Sequence, residues 1–164
     1  MHYFVLSHLR RLADGGSLAG TANVFGDNQL EVDLRSDAII FNEFKRCRAV
    51  STAASEEKPE EIDMGGDALR CYSVGFDPLD GSSIIDANFA VGSIFGIWPG
   101  KGLCGRLGRE QVASCMSTYG PRTTMALALG GEVTGGDPVA FEVTFVGSKW
   151  MVTCDRFCIA PTGK

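Results

Sequence analysis

A chain of 164 residues, 45% hydrophobic and 21% charged, has the size and composition of one globular domain, not of a disordered or collagen-like chain. Its net charge of −5 argues against a nucleic-acid binder, which presents a basic face, and no apolar run reaches the length of a membrane span. The 21 glycines point to tight turns and close backbone approaches rather than to a helical bundle.

Residues 3–12 (YFVLSHLRRL) carry apolar side chains at helical spacing, which predicts an amphipathic helix with His2 and His8 on its surface. This start is too short and too polar for a signal peptide. Residues 13–27 (ADGGSLAGTANVFGD) are rich in glycine and small side chains and read as a mobile loop. Residues 33–47 (DLRSDAIIFNEFKRC) put Leu34, Ala38, Ile39, Ile40, Phe41 and Phe44 mostly on one side. They predict a second helix, whose basic end suits the C-terminal dipole.

Residues 48–54 (RAVSTAA) read as a short strand running into Ser-Glu-Glu, and 58–70 (KPEEIDMGGDALR) as a surface loop with Glu60, Glu61 and Asp63 solvated. Residues 71–76 (CYSVGF) alternate like a strand up to Asp77, and 91–99 (VGSIFGIWP) form a buried strand. A glycine-rich excursion over 100–108 leads to a predicted helix around 110–119. Residues 123–131 and 139–145 read as meander strands around a turn at 135–138, with another strand over 149–153. This order predicts an α+β layered sheet rather than a regular βαβ repeat.

The six cysteines (Cys47, Cys71, Cys104, Cys115, Cys154, Cys158) form no CxxC pair and have no histidine nearby, which argues against zinc and for free thiols in a reducing compartment. Oxygen chemistry is the more informative signal. Asp27, Asp33, the Glu56-Glu57 pair, Asp77 and Asp80 recur where the backbone is tight. Hard divalent cations take carboxylates and carbonyls, and two such ions can clamp a phosphoryl displacement. In FDPLDGSS (76–83), Asp77 and Asp80 can face one cleft across a turn fixed by Pro78, leaving the Leu79 carbonyl as a further ligand. The amides of Gly81, Ser82 and Ser83 can then hold a phosphate. Each piece also has a plainer reading: adjacent Glu are commonly solvated, Asp-Pro and Gly-Ser-Ser are common in turns, and Asp27 and Asp33 suit helix caps.

The segments NVFGDNQLEVD, SEEKPEEIDMGG, FDPLDGSSIIDANFAVGSIFGIWPG and YGPRTTMALAL decide between these readings. Together they resemble the metal-dependent, lithium-sensitive sugar and inositol phosphatases. Within these, they resemble the class I fructose-bisphosphatase family and its sedoheptulose-1,7-bisphosphatase branch, with an inositol phosphatase disfavoured by FGIWPG and YGPRTT. The resemblance covers nearly the whole chain. It implies the layered α/β sugar-phosphatase fold, with a mixed, mainly antiparallel sheet packed against helices. It implies Mg²⁺, with Mn²⁺ as a substitute, held by Asp27, Glu56, Asp77, the Leu79 carbonyl and Asp80. Asp33 and Glu57 are implied as the residues that activate the attacking water, and Asp80, Gly81, Ser82 and Ser83 as the phosphate site. The implied reaction is in-line attack of metal-activated water on the 1-phosphate of a sugar bisphosphate without a phosphoenzyme, sedoheptulose-1,7-bisphosphate first and fructose-1,6-bisphosphate second. The segment 14–26 resembles the gating loop.

The chain ends near the point where the family's first domain gives way to its second. The expectation is therefore a metal- and phosphate-binding N-terminal domain over 1–164, without the C-terminal sugar-binding domain and with an apolar sheet face left uncovered. A non-catalytic half acting as a structural or regulatory subunit is the rival from another class. Homo-oligomers are the family habit, and neither nucleic acid nor membrane is an expected partner. Plastid members carry a cysteine pair before the loop's Asn, where this chain has residues that look like Gly16 and Thr21; that leans towards the cytoplasm and leaves the plastid open.

Overall fold

A computed structural model of the chain describes residues 18–22, 28–67 and 71–157. The predicted helix over 3–12, His2, His8, Gly16, Asp27 and Cys158 lie outside the described residues.

Strands β1 (Leu18–Ala22) and β2 (Asn28–Leu30) form a small antiparallel ribbon, so part of the predicted mobile loop is a strand. Helix α1 (Glu31–Arg46) follows directly. Its first turn holds Glu31 and Asp33 and its last turn Lys45 and Arg46, the polarity that the helix dipole favours. The apolar side expected from spacing is buried only in part, with Ile40 and Phe41 in the core and Phe44 packed against it. Val32, Asp33, Ser36, Asp37, Ile40 and Phe41 are buried, whereas Ala38 is exposed. Polar side chains thus occupy half of the inward stripe, and they do so at the end nearest the candidate site.

The remaining strands are β3 (Val50–Ser55), β4 (Ile62–Asp63), β5 (Tyr72–Asp80), β6 (Val91–Pro99), β7 (Ala113–Tyr119), β8 (Thr123–Leu129), β9 (Val139–Val146) and β10 (Lys149–Cys154). They make one sheet in the order β10-β9-β8-β7-β6-β5-β3-β4. All neighbours are antiparallel except β3 and β5, which run parallel with Ser55 opposite Phe76. A one-turn helix, α2 (Gly131–Thr134), joins β8 to β9. The α+β architecture is as predicted.

Three local readings are corrected. The helix around 110–119 is a short 3-10 turn followed by strand β7, with Phe95 of β6 opposite Cys115. Ser114, Ser117 and Thr118 are indifferent helix formers, and pairing with β6 outweighs the weak helical spacing of Val112, Cys115, Met116 and Tyr119. The loop over 58–70 contains β4, and its Met64 enters the core. Pro78 does not make a turn. It lies within β5, where three steps from Asp77 to Asp80 face two on β6, from Ile94 to Gly92. A bulge is the one place inside a sheet where a residue lacking an N–H does no harm. The chain turns only at Gly81, whose φ of 80° suits glycine.

The main core packs α1 on the β3–β5–β6 end of the sheet through Ile40, Phe41, Val50, Ala53, Met64, Val74 and Phe76. Phe76 lies at its centre, edge-on to Phe41 (5.2 Å) and Phe44 (5.5 Å) and stacked on Phe95 (5.8 Å). A second cluster of Val32, Leu79 and Val91 holds the first turn of α1 against the end of β5. The sheet extends well past α1. Trp150 and Val152 on β10 and Met116 on β7 remain exposed, Val152 at 61%.

Candidate active site

The single parallel pair creates the site. Parallel strands end on the same edge, so Ser-Glu-Glu after β3 and Asp-Pro-Leu-Asp at the end of β5 come out side by side. The ladder continues one residue past β3, since the Glu56 N–H donates to the Phe76 carbonyl at 3.0 Å. Glu56 and Asp77 therefore leave adjacent strand ends together. Their carboxylates are within hydrogen-bonding reach of each other.

This proximity has an electrostatic signature. The Asp77 carboxyl is pushed up to about 7, first by burial, then by the hydrogen bond and charge of Glu56 and by the charge of Asp80. The Leu79 N–H, donated to Asp77 Oδ1 at 2.9 Å, opposes the shift. Two carboxylates this close cannot both be ionised near neutrality without a compensating positive charge.

Helix α1 brings the third carboxylate. Asp33 is buried, and its Oδ2 accepts the Leu30 N–H at 3.1 Å, which is the capping role of the plainer reading. Its Oδ1 is buried without a hydrogen bond of ordinary geometry among the described residues. Burial raises the Asp33 pKa, and the charge of Glu56 raises it further. The Leu30 amide and the nearby Ser82 hydroxyl favour the ionised form.

After Asp80 the chain turns through Gly81 into a 3-10 turn, Ser82–Ala87, in which the Ile84 N–H is donated to the Gly81 carbonyl. Ser82 is half-buried and Ser83 exposed. Leu79 is buried with Val32 and Val91. Glu57, half-buried, shares the turn with Glu56.

The described part of the predicted site therefore gathers at one place: Asp33, Glu56, Glu57, Asp77, Leu79, Asp80 and the Gly81–Ser83 segment. Asp27 lies outside the described residues. Among those described, no three carboxylate, histidine or cysteine side chains already stand in metal-binding geometry. The donors are hard oxygens, and Glu56 and Asp77 repel each other when both are charged. That chemistry fits a hard divalent cation.

Three supporting residues were missed from sequence. The Ser93 hydroxyl donates to the Pro78 carbonyl at 2.8 Å and lies 3.0 Å from the Tyr119 hydroxyl, fastening the bulge from β6 and β7. Asp37 is wholly buried. Its signal was a carboxylate one helical turn from Asp33.

The family description "Fructose-1-6-bisphosphatase, N-terminal domain" matches residues 4–144. The chain belongs to this family. Among its relatives is the chloroplastic sedoheptulose-1,7-bisphosphatase of Spinacia oleracea, 53% identical over 115 residues, which make up 69% of this chain and 30% of that protein. The class 1 fructose-1,6-bisphosphatase of Geobacter metallireducens is 44% identical over 113 residues, 69% of this chain and 36% of that protein. The holo form of Leishmania major fructose-1,6-bisphosphatase superposes with a TM-score of 0.77 at 27% identity, covering 94% of this chain and 50% of that one. The chain thus spans about a third to a half of the length of these family members. The five described cysteines are free, and no helix among the described residues is long and apolar enough to cross a membrane.

Proposed function

We propose that the chain is the metal- and phosphate-binding N-terminal domain of a sugar-bisphosphate 1-phosphatase. The observation that carries this reading is the meeting of Glu56 and Asp77 at the paired ends of β3 and β5, with Asp77 pushed up to about 7. Glu56, Asp77, Asp80 and the Leu79 carbonyl, with Asp27, would hold Mg²⁺ or Mn²⁺. Bound there, the cation supplies positive charge against the phosphoryl oxygens and the departing alkoxide.

The residues of the chain supply the rest. Asp80 and the amides of Gly81, Ser82 and Ser83 bind and orient the phosphate. Asp33 and Glu57 accept the proton of the attacking water. A buried carboxylate with a raised pKa is a stronger base than a solvated one, which suits Asp33 to that task. Sedoheptulose-1,7-bisphosphate ranks first as substrate because the named sedoheptulose relative is 53% identical and the fructose one 44%. The protein is read as a homo-oligomer of the cytoplasm, with the plastid as the alternative that the chloroplastic relative supports.

The test is phosphate release from each bisphosphate with Mg²⁺, together with Mn²⁺ binding, for the chain and its Asp80→Asn variant. The expected result is that Asp80→Asn loses both. Unchanged release or unchanged Mn²⁺ affinity in that variant overturns the reading. Mn²⁺ binding without release of phosphate fits a domain that needs a sugar-binding half to turn over, and keeps the non-catalytic subunit as the rival.

A further inference from the structure

The turn that carries Glu56 and Glu57 is held from below by one buried side chain. We propose that Asp37 is a positioning residue that sets these two carboxylates against Asp33 and Asp77, an inference that rests on the metal-site reading above.

Asp37 has 0% exposure, and an isolated carboxylate there would be very costly. It has two partners, and they are the residues on either side of the Glu pair. The Ser55 hydroxyl donates to Asp37 Oδ1 at 2.6 Å, and the Lys58 ammonium pairs with Oδ2. Ser55 Oγ also accepts the Lys58 N–H at 3.0 Å. Ser55 and Lys58 close the turn through their backbones as well: the Ser55 N–H donates to the Lys58 carbonyl at 3.0 Å, and the Lys58 N–H to the Ser55 carbonyl at 3.2 Å. The Lys58 ammonium lies 5.3 Å from the centre of the Phe41 ring, so it is also packed on α1. Both ends of the turn are thereby tied to one helix.

That same helix carries Asp33 four residues earlier. Side chains at this spacing lie on one face, one turn apart. The helix therefore fixes the distance between Asp33 and the Glu56–Glu57 turn, and Asp37 is the joint through which it does so. Stability alone is a weak reason for such an arrangement, because the Lys58 side chain is half exposed and an ion pair open to solvent contributes little. A carboxylate that aligns the ligands of a cation is a sufficient one, since outer partners of ligands commonly set metal affinity.

The test is Mn²⁺ binding followed by electron paramagnetic resonance, for the chain and for Asp37→Asn, Ser55→Ala, Lys58→Met and Lys58→Arg, with thermal melting as the folding control. The expected result is roughly tenfold weaker binding in folded Asp37→Asn and Ser55→Ala. Lys58→Met should weaken binding too, and Lys58→Arg should restore it. Should Asp37→Asn fail to fold, Ser55→Ala decides, because it keeps the ion pair. Parent-like affinity in folded Ser55→Ala and Lys58→Met overturns the proposal while leaving the metal site standing. A parent chain that binds no Mn²⁺ overturns the metal-site reading, and this inference with it.

Discussion

Gly92 sits in β6 directly opposite Asp80, and a methyl group there has nowhere to go. A Cβ built on Gly92 meets the Ser117 carbonyl oxygen of β7 at 2.6 Å, where ordinary contact begins at 3.4 Å. The obstacle is backbone, hydrogen-bonded into the centre of the sheet, so β6 and β7 must part by several tenths of an ångström. Overpacking of this kind costs about 1–3 kcal/mol. Replacing a strand glycine by alanine returns about 0.5–1 kcal/mol through backbone entropy. Gly92→Ala should therefore destabilise by about 1–2 kcal/mol net, and a chain of this size loses ~2–4 °C of melting temperature per kcal/mol. The assay is thermal unfolding by circular dichroism, with Gly136→Ala as control, since a Cβ on Gly136 meets nothing within 4 Å. The expected result is a drop of about 2–8 °C for Gly92→Ala and no drop for Gly136→Ala. Equal melting temperatures would falsify the claim that the β6–β7 spacing is fixed.

Two further outcomes follow from packing and charge. Phe76→Ala removes the ring shared by Phe41, Phe44 and Phe95 and should cost about 3–5 kcal/mol, read from urea unfolding; a loss below 1 kcal/mol would mean that α1 is not held by this cluster. Glu61 accepts the Leu103 and Cys104 amides at 2.8 and 2.6 Å and holds the exposed Cys104 thiol above its ordinary pKa. Glu61→Gln should therefore move the alkylation profile of Cys104 to lower pH, because the thiolate then forms more readily. An unmoved profile, followed by mass spectrometry, would refute that coupling.

The site was legible in sequence to the extent that it is linear. FDPLDGSS and SEE each hold their donors within a few residues, so their chemistry can be read before any fold is known. What joins them could not be read this way. The parallel pairing of β3 and β5 depends on a crossover through β4, and no local pattern encodes it. Pro78 looked like a turn because proline usually marks one, but a bulge accommodated it inside β5. The 110–119 segment looked helical because β7 is shaped by its partner β6 rather than by its own propensity. Asp37 was passed over for a related reason: apolar spacing marked Leu34, Ala38, Ile39, Ile40, Phe41 and Phe44, of which Ile40 and Phe41 are buried, whereas it carries no signal for the polar Asp33, Ser36 and Asp37 that the fold also turns inward.

The sheet order also divides the molecule by how its contacts are made. From β5 to β10 every strand pairs with the next one in the chain, so this part can assemble hairpin by hairpin. The end that bears Glu56 and Asp77 cannot, because β3 must find β5 across the intervening connection and α1 must dock on both. Closing such a connection is an entropic burden that local hairpins escape. That burden falls on the rate at which this end assembles, since once formed it holds the main core of α1 on β3, β5 and β6. In pulse-labelled refolding, amides of β3 and α1 should gain protection after those of β6 to β8, and a cation held by Glu56 and Asp77 would act as a staple on the finished end.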